Sequence, residues 1–279
     1  MSASVLVQLY DAFAPEYERT RVPRFRPFVK KLLQLYDTRP GSRVLDAGCG
    51  TGLVATMVAP RAGHAGKVIG VDASAAMLEI ARHKARGFGF DQCEFVLGDI
   101  AHLDTADDSF DVVICSFALW GEPRELFAEF FRALKPHGAL LIQNWEMDRG
   151  GIARAYGDAL QKFASATADE RVSQVRAIFS KHRADWAEVQ TPQDYERVLS
   201  AVGFSQVFAQ WFACSTHFKN LDELIEFHNV GVRSRAELAA MNETTRAEFH
   251  AAARNALQQF ENANGIAQEW RAVQVMARK

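Results

Sequence analysis

A chain of 279 residues with 48% hydrophobic content can bury a full core, and a net charge of −2 leaves no basic field to hold nucleic acid. Its four cysteines (Cys49, Cys93, Cys115 and Cys214) form no Cys-x-x-Cys pair and point to free thiols in a reducing compartment, not to disulfides or a metal knot. No apolar run approaches the ~20 residues that cross a bilayer, and residues 1–10 lack a signal-peptide layout, so a cytoplasmic protein with no membrane span is expected.

In chain order, Val5, Leu9, Ala12 and Phe13 fall at helical spacing and are expected to end at Pro15. Phe28, Leu32, Leu35 and Tyr36 repeat the pattern after Pro27, and Pro40-Gly41 closes that segment. An alternation follows. Strands are expected at Arg43–Asp46, Lys67–Asp72, Glu94–Leu97, Phe110–Cys115 and Ala139–Gln143, with helices at Leu53–Val58, Met77–Ala85 and Pro123–Leu134 between them. Strands spaced by helices imply parallel units under two helical layers. Residues Ile152–Trp186 read as mostly helical, and Thr191-Pro192 opens another helix as N-cap and first residue. A strand is expected over Gln206–Phe212, helices over Asn220–Asn229 and Ser234–Phe260, and an edge strand over Trp270–Ala277. The pattern Ser234-x-x-Glu237 predicts a capping box for the second of these helices. The expected architecture is α/β: a Rossmann-like, doubly wound, mostly parallel seven-stranded sheet with a helical N-terminal segment and helical lid insertions. Its divisions are a helical cap over 1–42, a core over 43–149, and a lid with the last core strands over 150–279.

The chemistry concentrates at Val44-Leu45-Asp46-Ala47-Gly48-Cys49-Gly50-Thr51-Gly52, a strand running into three alternating glycines. Such a turn leaves room for a ligand against bare backbone. Dinucleotide enzymes show Gly-x-Gly-x-x-Gly facing a pyrophosphate. Here the spacing is Gly-x-Gly-x-Gly, and Asp46 stands two residues before it, which suits a ligand bearing an ammonium group.

The run resembles motif I of the class I S-adenosylmethionine-dependent methyltransferases. Four later blocks keep to the same pattern: Asp72-x-Ser74-x-x-Met77-Leu78-x-x-Ala81, Gly98-Asp99-Ile100, Ser116-Phe117-Ala118-Leu119-Trp120, and Leu134 to Ile142. The N-terminal Tyr10-Asp11-x-Phe13-Ala14-x-x-Tyr17-x-x-Arg21 is similar to the small-molecule branch, which includes quinone-biosynthesis and natural-product enzymes. The resemblance implies S-adenosyl-L-methionine as cofactor and S-adenosyl-L-homocysteine as product. It implies cofactor contacts from Asp46, Gly48, Cys49, Gly50, Gly52, Asp72, Ala73, Met77, Gly98, Asp99, Ile100, Ser116, Phe117 and Tyr17. In it Asp72 takes the ribose hydroxyls, Met77 packs on adenine, Asp99 accepts from the exocyclic amine, and the N-terminal helix closes over the cofactor. Trp120 and Trp145 are expected to line the substrate pocket, within an aromatic mouth that includes Trp211, Phe212 and Phe218.

The expected activity is O-, C- or N-methylation of a small-molecule acceptor by in-line displacement, with no metal and no nucleic acid partner. A homodimer is left open by the amphipathic helices after Ile152. If a general base is used, His217 and His228 are the candidates. The alternative is a protein of this fold that binds S-adenosylmethionine without transferring its methyl group, as a pericyclase-like enzyme or a binding protein does. A nicotinamide-dependent reductase is a third reading, tested by NAD(H) binding.

Overall fold

The first helical segment breaks two residues before Pro15, where two helices meet at a kink, in keeping with the stop expected there. In the computed structural model, which describes residues 3–147, 150–164 and 169–279, helix α1 spans Ala3–Thr20 and carries Pro15 inside it. A kink at Phe13 (φ −122°, ψ 15°) absorbs the missing proline donor. Helix α2 (Val22–Leu32) likewise contains Pro27 and does not start after it.

The alternation then unfolds as expected: β1 (Arg43–Ala47), α3 (Leu53–Ala62), β2 (Lys67–Asp72), α4 (Ala75–Gly87), β3 (Cys93–Leu97), β4 (Phe110–Ser116), α5 (Pro123–Ala133) and β5 (Leu134–Trp145). Next come α6 (Ile152–Ala164), α7 (Glu170–Asp185), α8 (Pro192–Val202), β6 (Ser205–Phe218), α9 (Leu221–Asn229), α10 (Val232–Ala240), α11 (Glu243–Leu257) and β7 (Ile266–Arg278). The core boundary expected at residue 149, and residues 165–168 of the helical run, lie outside the described residues. No helix among the described residues is long and apolar enough to cross a membrane.

The seven strands form one sheet in the order β3-β2-β1-β4-β5-β7-β6. From β3 to β5 every pairing is parallel, while β7 runs antiparallel to β5, pairing Trp145 with Ala272 and Ala139 with Arg278. The last strand is therefore interior, and β6 takes the edge expected for it. Its sequence shows why: Ala272, Val273, Gln274 and Val275 are all buried, which only a strand covered on both faces sustains. The predicted capping box at Ser234 is also absent. Helix α10 starts two residues earlier after Gly231, and a break at Met241-Asn242 separates it from α11, which Asn242 caps by accepting from the Thr245 N–H. The cap at Thr191 forms as read, with Asp194 completing a capping box.

The chain divides into two compact units. The first comprises Met1–Arg24, Met147–Lys181 and Ala213–Trp270; the second comprises Phe25–Glu146, His182–Phe212 and Arg271–Lys279. In the first, Phe249, Ala253 and Leu257 line one face of α11 at four-residue spacing, and Tyr156 of α6 meets the Phe249 ring edge-on at 5.7 Å. Glu237 is buried there and accepts twice from Arg176, at 2.8 and 2.7 Å. In the second, Leu45, Val113, Leu140 and Val275 of the sheet pack with Phe127 and Phe130 of α5 in a core closed to water.

Candidate cofactor site of the second unit

The strand order reverses between β1 and β4, and the carboxyl ends of parallel strands at such a point open onto a crevice. The turn after β1 is built there. Gly48 and Cys49 both donate their N–H to the Val71 carbonyl, at 2.8 and 3.0 Å, which fastens the turn to β2. Gly48 has φ +71°, and a Cβ at this position would lie 2.2 Å from that of Ala118. Gly50 has φ +50° with nothing within 4 Å of where a Cβ would stand. One glycine is thus needed for close packing, and the other leaves backbone open to a ligand.

Two carboxylates flank this turn. Asp46 is 1% exposed; its Oδ2 accepts from the Ala55 N–H at 2.9 Å, whereas its Oδ1 is buried without a hydrogen-bond partner. Burial pushes its pKa up to about 7; the Ala55 N–H opposes the rise and the neighbouring charge of Asp72 adds to it. Asp72, at the end of β2, accepts from Gly50 N at 2.8 Å and from Ser74 N at 2.9 Å. Its side chain thereby ties the glycine turn to the start of α4, where Ser74 caps by accepting from Met77 N. Ala73 is exposed in this turn, and Met77 is buried below it. Cys49 is buried, and burial raises its thiol pKa, so it is inert packing.

Gly98 N donates to the Asp72 carbonyl at 3.0 Å, which brings the β3 turn beside the β2 turn. Ile100 is buried; Asp99 is exposed and accepts from Ala101 N at 2.9 Å and faces His102 Nδ1 at 3.1 Å. Leu97, just before Gly98, is 60% exposed, an apolar side chain with no core role.

After β4, Ser116 accepts from Gln143 Nε2 at 2.7 Å, and Gln143 in turn accepts from Gln274 Nε2 at 2.9 Å. Phe117 adopts φ +60°, uncommon for a bulky residue, and stacks on Trp145 at 3.6 Å with the planes 5° apart. Phe25, Phe28 and Phe212 complete that cluster. The Trp120 ring lies 4.7 Å from His182. Trp211 lies under the Arg271 guanidinium.

A methyltransferase-domain family model matches residues 38–203, more than half of the chain, including the glycine turn and the ends of β2, β3 and β4. The chain belongs to the methyltransferase-domain family. Among curated relatives, the chain is similar to a nocamycin O-methyltransferase of Saccharothrix syringae, with 37% identity over 47% of this chain and 48% of the relative. It is also similar to a demethylmenaquinone methyltransferase of Bacillus velezensis, with 33% identity over 45% and 55%. The chain thus spans about half the length of the curated relatives it matches. Among solved structures, a methyltransferase-like protein from Bacillus halodurans aligns at TM-score 0.59 and 22% identity over 90% of this chain and 98% of that one. The cyclase SpnF aligns at 0.59 and 20% over 98% and 94%. Likenesses at this identity establish the shared fold.

The residues present fit S-adenosylmethionine, the cofactor of the family. The unpartnered Asp46 oxygen suits an ammonium group, Gly50 offers bare backbone, and Asp72 and Asp99 are acceptors at strand ends. Gly52, also in the second unit, has φ +79°, and a Cβ there would lie 3.0 Å from that of Ala81; the remaining expected residues belong to the first unit. Tyr17 sits in α1 with its ring 6.3 Å from Tyr10. His217 is exposed on β6, and His228 is buried on α9, its Nε2 3.1 Å from Gln268 Oε1 and its ring stacked on Tyr156 at 4.9 Å. The sequence reading passed over His182. It lies in the last turn of α7, its Nδ1 is buried without a partner among the described residues, and burial lowers its pKa, so the ring is neutral near pH 7. Its only sequence signal was the four-residue spacing to Trp186, whose indole N–H holds the Gly121 carbonyl beside Trp120.

Proposed function

We propose that this protein transfers the methyl group of S-adenosylmethionine to a small organic acceptor through an oxygen, carbon or nitrogen atom. The observation that carries the reading is the Asp46 oxygen, buried and unpartnered at the rim of an open glycine turn. A buried carboxylate without its counter-charge is costly, and a cofactor ammonium supplies that charge. Asp72 then takes the ribose hydroxyls, and Met77, Ile100 and Leu97 form the apolar surroundings of the adenine, with Asp99 accepting from its amine. Ser116 and Phe117 bound the methionine end, and Trp120 and Trp145 the acceptor side. The relatives' names, one an O-methyltransferase of a natural product and one a quinone methyltransferase, support a small-molecule acceptor.

When bound, the cofactor supplies an activated methyl group on a sulfonium. The protein's own work is alignment and exclusion of water, and orientation of this kind is worth ~7–11 kcal/mol. An electron pair on the acceptor atom would form the new X–CH3 bond while the S–CH3 pair stays on sulfur to leave S-adenosylhomocysteine, and the acceptor's proton would pass to a base or to solvent. His217 and His228 are proposed for that base, and alanine at both positions should cut turnover at least tenfold if either serves; unchanged turnover rejects both.

The deciding experiment combines binding and product. S-adenosylhomocysteine should raise the melting temperature while NAD(H) leaves it unchanged. D72A should weaken S-adenosylmethionine at least tenfold by calorimetry; an unchanged dissociation constant rejects the site. Incubation with methyl-labelled cofactor and a panel of phenols, quinols and carboxylic acids should yield labelled product and S-adenosylhomocysteine together. The likeness to the cyclase SpnF gives the alternative a specific form: a rearranged product with the cofactor unconsumed.

A further inference from the structure

The first unit contains a cation that no described residue neutralises. Arg21 follows α1, and its guanidinium forms no ion pair and no hydrogen bond with the described residues; its Nε is buried without a partner. The other arginines around it are matched. Arg24 meets Glu223 at 2.6 Å, Arg19 meets Glu226 at 2.8 Å, Arg235 meets Glu16 at 3.0 Å, and Arg254 is paired with Asp222. Even the buried Glu237 has its Arg176.

The surroundings of Arg21 are aromatic. Its guanidinium carbon lies 4.2 Å from the centroid of the buried Phe227 ring, which covers one face of the cation. Desolvation is the largest influence on its pKa and lowers it; the phenolic groups of Tyr17, Tyr10 and Tyr156 act in the opposite sense, and Arg24 adds to the lowering. Tyr10, Phe13 and Tyr17 form a ring cluster with centroids 5.4 to 6.3 Å apart. Tyr156 is held in place by its hydroxyl donating to Asn229 at 2.7 Å and by stacking on His228. Gly231 lets the side chain in: a Cβ there would stand 3.0 Å from Arg21 Nη2.

We propose that Arg21, with Tyr10, Tyr17 and Tyr156 around it, is a binding site within the first unit for a small aromatic carboxylate. A carboxylate matches the planar fork of a guanidinium through two parallel N–H···O bonds, and a flat ring matches the tyrosine and phenylalanine faces. A point anion such as phosphate uses the charge but not the rings. An amine or neutral ring gains nothing from an unpaired cation. The site depends on no residue assigned to the cofactor except Tyr17, and it stands whether or not the bound acid is methylated.

The test uses the whole protein and benzoate, with benzamide as the neutral isostere and inorganic phosphate as the anion without a ring. Calorimetry should show benzoate binding, benzamide at least tenfold weaker, and phosphate weaker still. R21M should lose at least tenfold in benzoate affinity, since charge-assisted bonds of this kind carry about a tenfold or greater effect. R21K should fall between the two. A melting scan guards against a folding artefact: methionine keeps the stem and removes the uncompensated charge, so unliganded R21M should melt no lower than the wild type. Benzoate and benzamide binding alike, unchanged benzoate affinity in R21M, absence of benzoate binding at millimolar concentration, or a lower melting temperature for R21M each overturns the proposal.

Discussion

At the scale of single residues, the decisive feature is a carboxylate placed where water cannot reach it. Asp46 has its native pKa pushed up to about 7, whereas an unfolded aspartate titrates near ~3.9. The native state therefore holds this proton more tightly than the unfolded chain. The resulting stability is fully present below about pH 4 and is lost as pH rises through about 7. D46N removes that titration, so its melting temperature relative to wild type should climb between those limits in the absence of cofactor. Cofactor affinity should run the other way: the wild type should bind more tightly as Asp46 ionises, and D46N should bind weakly with a flat pH profile. A parallel pH dependence of binding in both proteins would remove Asp46 from the site.

At the scale of elements, the turn between β1 and α3 does two jobs with two glycines. Gly48 has no room for a methyl group because the loop after β4 crosses it through Ala118. Gly50 has room but holds a left-handed backbone. G48A should therefore be the more damaging change to folding, combining a clash with φ strain, while G50A pays only the strain of about 1 kcal/mol or slightly more. Both should lose cofactor binding, G50A by obstructing the open backbone. Thermal melts and calorimetry on the two variants separate these effects, and equal loss of stability would contradict the geometry. The same loop explains Phe117: its left-handed conformation turns the chain out of β4, and the stack on Trp145 together with the Phe117 N–H to Gln143 carbonyl bond at 2.9 Å holds it there.

At the scale of the whole molecule, each unit has its own source of order. The second is a sheet with a closed apolar core, whereas the first relies on helix faces and on a few buried polar pairs. Among these, Glu237 is 1% exposed on the side chain and Arg176 is 32% exposed. Removing the arginine strands a buried carboxylate, so R176A should destabilise by up to about 3 kcal/mol. E237Q, which leaves the partly exposed arginine to water, should cost less. Limited proteolysis, with the first unit's helices cut sooner in R176A than in wild type, is the check; equal cutting would mean the pair adds nothing.

The sequence by itself determined the five parallel strands, the helices between them and the glycine turn with its two carboxylates, because each depends on local periodicity, propensity and spacing. It also carried the family through ordered motifs. It did not determine which strand closes the sheet, since burial on two faces and edge exposure differ only in the neighbours a strand acquires. Pro15 was legible as a break, since a proline removes a helical donor and the chain kinks two residues before it. Ser234 was misread as a cap, because nothing in four residues says that a helix has already begun. Only the tertiary structure decided that His182 stands beside Trp120 and that Arg21 has no counter-charge among the described residues. Those facts depend on residues far apart in the chain, and partnership across such distances is set by packing, not by sequence pattern.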